Sequence, residues 1–242
     1  AFALDLPVYD VRSPDFRLHG LDAVIHLAGV LGTHELFDDP QLAIDSNVTG
    51  TLNVLEAARH AGARYVGITM PQVFPSIYTA TKIAATGLER AYHHTHELPV
   101  SRVRAFNAFG PGQKHGPGHP QKIVPTFARE AWIGRPIPIW GDGEQTVDLI
   151  DSDQLARILV AALEHGDDVT FDGGTGIALT VNEVAAMVRE ITGSRVPDEH
   201  LPMRRGEIPT QIVASGEGWE RLDFEPTFDP VALARTVEEY GI

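Results

Sequence analysis

The sequence predicts an α/β fold, a doubly wound parallel sheet with a smaller interleaved α/β region toward the C-terminus. Two observations point to the sheet. Short β-branched runs alternate with helical stretches, the rhythm of βαβ units. The strand runs are also continuously apolar rather than alternating, as strands covered on both faces by helices are. A third observation points to the smaller region: beyond residue 112 the elements become short and mixed in type.

The elements follow in order. "DAVIHLAG" (22–29) reads as a strand, and "NVTGTLNVLEAARHAG" (47–62) as a helix of about fourteen residues, capped by Asp45 and Ser46 before it and closed by Gly62. "ARYVGITM" (63–70) is the next strand, "SIYTATKIAATGLERAYHHTH" (76–96) a long helix and "VSRVRAFNAFG" (100–110) a third strand. "PGQKHGPGHPQ" (111–121) is a loop by its Gly and Pro content. After it come a helix ("IVPTFAREAWIG"), a turn and short strand ("RPIPIWGDGEQ"), a helix ("DSDQLARILVAALEHG"), a strand ("DVTFDGG") and a helix opening at Thr180. There is no internal repeat and no linker that would separate independent domains. The expected division places 1–112 in the sheet domain, with 146–176 returning to it, and assigns 113–145 and 177–242 to the smaller one.

Composition narrows the partners. A formal charge of −14 over 242 residues does not suit a polyanion binder, so nucleic acid is not expected and small molecules are. No apolar run reaches the ~20 residues that cross a bilayer. With no cysteine there is no disulfide, thiolate nucleophile or Cys-based metal site; a cytoplasmic location is the expectation.

The chemistry-bearing stretch is "MPQVFPSIYTATK" (70–82). Tyr78 and Lys82 are one helical turn apart and share a face, so the ammonium can sit near the phenol or touch a ligand beside it. A nearby cation favours phenolate and would bring the tyrosine below its usual pKa of about 10, toward proton transfer at neutral pH. A solvated lysine stem beside a core-edge tyrosine would produce the same spacing. The context favours chemistry, because the pair follows the strand "YVGITM" and the next strand ends at Asn107, where a parallel sheet has its ligand crevice. "HHTH" (93–96) would place His93 and His96 three apart, but spacing fixes no third ligand, and a solvated helix end is the expectation. No metal is expected. His115 and His119 lie in the Gly-Pro loop, within possible reach of a substrate.

Taken together, "DAVIHLAG", "NVTGTLNVLEAARHAG", "YTATK", "RAFNAFGPGQ", "IVPTFAREAWIGRPIPIWGDGEQTVDLI" and "RRGEI" resemble the NAD-dependent epimerase/dehydratase family, the extended short-chain dehydrogenases that act on nucleotide sugars. The resemblance covers nearly the whole chain, in the family's order. It implies a Rossmann-like fold holding NAD, with Asp5 on the adenosine ribose, where its carboxylate would repel a 2′-phosphate. It further implies Asp10 and Val11 flanking the adenine, Leu27, Ala28 and Gly29 under the cofactor, Asn47 propping this region and Phe106 beside the nicotinamide. Asn107, Lys122, Ile123, Trp140, Arg204 and Glu207 match substrate contacts. An arginine such as Arg204 forks well onto a diphosphate. In the implied mechanism Tyr78 takes a hydroxyl proton while hydride leaves the sugar, and Lys82 holds the nicotinamide ribose. A homodimer is implied through the helix of Asn47 to Ala58 and the helix bearing Tyr78.

Departures from the family's pattern bear on the reaction. The chain opens at what resembles the second strand of the fold, so the first strand and its glycine-rich turn are expected to be missing from the sequence as given. Only three residues separate Phe74 from Tyr78 where relatives carry a longer excursion, which implies either an omitted loop near Pro75, the favoured reading, or a shortened connection in this member. Met70 stands where the family has a hydroxyl; Thr69 is the candidate substitute, although neighbouring strand residues face opposite ways. Val147 stands where relatives often carry an arginine. Pro71 and Gln72 occupy the positions of a dehydratase's acidic pair and are poor proton carriers. The group's 3,5-epimerase chemistry needs a cysteine. The resemblance therefore implies a nucleotide-sugar 4-epimerase acting on a UDP- or dTDP-sugar, with a 4-keto reductase or dehydratase and a catalytically silent NAD-binding protein as alternatives.

Overall fold

The computed structural model describes residues 9–32, 34, 36–71, 73–116 and 119–241. Asp5 and Gln72 lie outside them. The three apolar runs become neighbouring parallel strands, β1 (Ala23–His26), β2 (Arg64–Thr69) and β3 (Val100–Ala105). Residues 106–112 do not continue the sheet: Asn107–Phe109 forms β4, which pairs in parallel with β7 (Leu149–Asp151). Between them lie β5 (Pro138–Trp140) and β6 (Thr146–Val147), and β8 (Asp167–Gly173) completes a four-stranded sheet of order β1-β2-β3-β8. The last short strands are β9 (Leu179–Thr180), antiparallel to β6, and β10 (Glu199–Leu201), parallel to β5.

The chain divides into two compact units, one of residues 1–104, 157–171 and 220–222, the other of 105–156, 172–219 and 223–242. In this division residues 157–171 and 220–222 return to the first unit, where 146–176 was expected, and β4 and β7, paired with each other, stay in the second. Phe109 and Leu149 of that pair are buried in the second unit's core.

In the first unit, helix formation begins earlier than expected. Asp39 caps α1 (Pro40–Ala43) through a bond from the Leu42 amide (3.0 Å), with Pro40 in the first turn, where its missing N–H costs nothing. Asp45 and Ser46 do not cap a helix. They lie in a wide π-helical stretch, Ile44–Thr49, which runs directly into α2 (Gly50–Ala61). Gly62, at φ 66°, ends α2 in the left-handed conformation that glycine adopts without penalty. α3 (Ile77–His96) packs beside α2 and over β2. The core here joins Val54, Leu55 and Ala58 of α2 to Tyr65 of β2, Tyr92 of α3 and Val100 of β3.

The second unit is built around α4 (Ile123–Trp132), α6 (Val181–Thr192) and α7 (Pro230–Glu238), whose apolar faces meet over Phe109, Ile139 and Leu149; α5 (Ser152–Ala161) links it to β8. Thr180 opens α6 with a reciprocal capping box to Glu183. The buried carboxylate of Asp148 accepts the amides of Thr175, Gly176 and Ala214, which fixes the C-terminal loops with both carboxylate oxygens hydrogen-bonded.

Candidate active site

Ser76 sets the frame of the first unit's site. Its backbone is extended and its hydroxyl accepts the Thr79 amide (3.0 Å), so α3 starts at Ile77 and puts Tyr78 in the first turn with Lys82 one turn on. Both side chains are largely withdrawn from water. Burial pushes the Tyr78 phenol above its usual 10 and pulls the Lys82 ammonium below its usual 10.5. The expected lowering of the phenol by Lys82 is therefore not what the protein alone produces, because desolvation penalises each charged form.

Asn47 ties this helix to the end of β1. Its Oδ1 accepts the Val30 amide (2.9 Å), and its Nδ2 donates to the Val30 carbonyl (2.9 Å) and to Thr81 Oγ1 (3.1 Å). Thr81 in turn donates to the Tyr78 carbonyl (2.9 Å). The wide π turn around Asn47 is a device often found at functional sites. Gly29 lies against the same side chain, and a Cβ there would approach Asn47 Oδ1 to 2.8 Å. Leu27, Ala28 and Gly29 are exposed, Leu27 by 61%, at the carboxyl end of a parallel strand. An apolar strip in that place fits a flat ligand lying across the strand end, as NAD would.

Of the other residues expected to touch a cofactor, Val11 packs on Gly50, and its carbonyl accepts from Asn53 Nδ2 (2.8 Å). Asp10 is gripped by the Arg12 guanidinium (2.7 Å), whose hydrogen bonds and charge hold its carboxyl at about 2.

The Thr69 hydroxyl turns away from the strand end to meet Thr86 Oγ1 of α3 at 3.0 Å. Thr86 donates its own proton to the Lys82 carbonyl (3.0 Å). A hydroxyl has one proton to give, so Thr69 must donate to Thr86. Thr69 is left able to accept from a ligand but not to donate to one.

In the second unit Trp140, Arg204 and Glu207 come together. The Arg204 guanidinium carbon lies 4.6 Å from the Trp140 ring centroid, and Glu207 clamps the guanidinium with both oxygens at 2.9 Å. Phe106 lies against Gly174, where a Cβ would come within 2.9 Å of the ring. Asn107 is half-buried on β4 with its amide bonded to the Asp148 carbonyl. Lys122 stands at the start of α4, and Ile123 packs on the unit's core. Among the described residues nothing ties Asn107, Lys122 or Ile123 to the Trp140 group. Val147 is buried and pairs with Leu179.

Elsewhere, His93 bonds the Leu98 carbonyl (3.0 Å) and His96 meets the Tyr92 ring at a tilt, so "HHTH" finishes α3. Among the described residues no helix is long and apolar enough to cross a membrane, and no three His, Cys, Asp or Glu residues converge on a metal position.

Sequence reasoning missed two buried groups. His26 ends β1 and faces Thr51 Oγ1 (3.3 Å), which spends its proton on the Asn47 carbonyl (2.7 Å). His26 Nε2 therefore carries the hydrogen, and burial, helped by the Lys82 charge, lowers the imidazole to about 4. Glu89 of α3 is 2% exposed. The available signal was Gly67 in the middle of a strand, which marks a close approach from another element.

Comparison with known proteins identifies the family and the fold. A model of the NAD dependent epimerase/dehydratase family matches residues 4–172. The UDP-glucuronate 4-epimerase of Thermodesulfobacterium geofontis is 28% identical, over 98% of this chain and 77% of that one. Among solved structures, the UDP-glucose 4-epimerase of Thermotoga maritima with UDP-glucose superposes with a TM-score of 0.81 at 25% identity, covering 90% of this chain and 77% of that one. The dTDP-glucose 4,6-dehydratase of Streptomyces venezuelae, with NAD bound, gives 0.81 at 26% identity, covering 96% and 77%.

Proposed function

Since the chain belongs to the NAD-dependent epimerase/dehydratase family, we propose that it is a nucleotide-sugar 4-epimerase acting on a UDP- or dTDP-sugar. The observation that carries this reading is a Tyr78–Lys82 pair with Pro71, rather than an acid, after the strand end. Such a pair serves a reaction whose only proton transfer is at the oxidised oxygen. Dehydration needs a further acid and base.

In this reading Tyr78 takes the proton of the sugar hydroxyl as hydride leaves its carbon, and gives it back when hydride returns to the other face of the ketone. NAD supplies the hydride acceptor and donor. Lys82, one turn along the same face, stabilises the phenolate that burial alone disfavours. Asn47 holds the first turn of α3 and the strip after β1 in one frame. Within the second unit, Arg204, with Trp140 against its guanidinium and Glu207 orienting it, is the group suited to a diphosphate. The active form is proposed to be a homodimer, consistent with the exposed Ile83 on α3 (49%).

The test is incubation with NAD and a panel of UDP- and dTDP-hexoses, reading products by NMR. The expected result is interconversion of 4-epimers without accumulation of reduced cofactor. The variant Tyr78→Phe should lower kcat by ~10²-fold or more while NAD still binds. A 4-keto-6-deoxy product would assign the dehydratase instead, and stoichiometric use of NADH the reductase. One observation favours a catalytically silent NAD-binding protein, namely Met70 beside a Thr69 whose proton goes to Thr86. If no sugar is converted while NAD binds, that second reading replaces the first.

A further inference from the structure

The register of the central sheet brings His26 of β1, Gly67 of β2 and Arg102 of β3 into one row across the strands, with all three on the same face. The middle member has no side chain, and α3 fills the notch. Glu89 reaches so far in that a Cβ on Gly67 would meet its Oε1 at 2.0 Å. The Tyr65 hydroxyl donates to Oε1 (3.1 Å), while Oε2 has no hydrogen-bond partner among the described residues. A buried carboxylate with one oxygen unpaired is costly unless a charge compensates it.

The groups facing Glu89 can be named element by element. Tyr65 comes from β2, and the neutral His26 stands beside Gly67 in the same row, on β1. Arg102 comes from β3, its guanidinium already bonded to the Asp168 carboxylate (2.6 Å). Lys82 and Arg90 come from α3 itself. Lys82 and Glu89 are seven residues apart, two helical turns along one face. Of the cations, Arg102 already bonds the Asp168 carboxylate through Nη2, its buried Nη1 having no partner among the described residues, and Arg90 is exposed; Lys82 is the partly buried cation that shares the face of α3 with Glu89 and the reacting tyrosine.

We infer that Glu89 is a positioning residue of the Tyr78–Lys82 pair, the internal counter-charge that keeps the Lys82 ammonium protonated inside the fold. This rests on the proposed function only in taking that pair as the reacting one. The interaction with Glu89 raises the Lys82 ammonium against the effect of burial, and burial pushes Glu89 itself up to about 7. The charge on Glu89 therefore changes near neutrality, and with it the charge that faces Lys82.

Three lysines make the test direct: Lys82, Lys114 and Lys122. In protein labelled with ¹³C-lysine, the Lys82 Cε signal, assigned with Lys82→Arg, is followed from pH 5 to 11 in the wild type, Glu89→Gln and Glu89→Asp. The expected wild-type trace has a first inflection near neutral pH, from Glu89, and a second from the ammonium itself. Glu89→Gln should abolish the first and move the second down by about one pH unit, a tenfold change in acidity. Glu89→Asp should restore both. A folded Glu89→Gln protein whose Lys82 titrates as in the wild type overturns the inference. If that variant does not fold, the wild-type trace decides, and a single inflection overturns it. Where a sugar is turned over, the alkaline limb of kcat should move down by the same unit with KM unchanged. If no sugar is converted, the epimerase reading fails and the Lys82 titration still judges Glu89.

Discussion

Thr69 and Tyr78 separate chemistry from packing at the scale of single residues. Thr69 donates to Thr86, so Thr69→Val removes one partly buried hydrogen bond and no substrate donor. The expected cost is about 1 kcal/mol in urea unfolding, with kcat changed by less than ~10-fold. A loss as large as that of Tyr78→Phe would show that the hydroxyl reaches the reacting oxygen after all. Asn47 is a different case, because its amide satisfies both polar backbone groups of Val30 as well as Thr81. Asn47→Leu leaves those groups without partners, and about 2 kcal/mol or more of stability should go with them. The urea midpoint measures it, and an unchanged midpoint would mean that water replaces the amide freely.

At the scale of elements, α3 ends where Glu97 takes φ 54°, a left-handed conformation that costs a side-chain-bearing residue about 1 kcal/mol or more. Glu97→Gly should raise the melting temperature by about 2–4 °C. Gly67→Ala should do the reverse and cost several degrees, because its methyl would occupy the place of the Glu89 carboxylate. These two positions also mark what could be read from the sequence. β2, β3 and α3 were legible because continuous apolar runs and a long helical stretch are local signals. The start at Pro40 was not, since Asp39-Pro40 and Asp45-Ser46 both have capping chemistry, and a π turn has no pattern that distinguishes it from loop or α-helix. The site divides in the same way. Tyr78, Lys82 and Asn47 follow from spacing and resemblance. His26 and Glu89 depend on which strand residues lie side by side, and register is a property of the paired sheet rather than of any one strand.

For the whole molecule, the two missed groups make opposing contributions to stability against pH. His26 has a folded pKa of about 4 against 6.5 unfolded, so its contribution is complete above pH 6.5 and is lost as pH falls toward 4. Glu89 has a folded value of about 7 against 4.5, so its contribution is complete below pH 4.5 and is lost as pH rises toward 7. Between 4.5 and 6.5 each slope approaches about 1.4 kcal/mol per pH unit, with opposite sign, and the two nearly cancel. Glu56, held near 2 chiefly by Arg59 and Tyr92, adds only to the loss at more acid pH. The wild-type melting temperature should therefore carry little slope from this pair across that window. Removing either member exposes the other. Glu89→Gln should melt at progressively higher temperature as pH rises from 4.5 to 6.5, whereas His26→Gln should melt at progressively lower temperature as pH rises from 4.5 to 7. Scanning calorimetry of the three proteins in buffers of low ionisation enthalpy reads both slopes. If the variants run parallel to the wild type, neither group is buried in the charge state that the sheet register gives it.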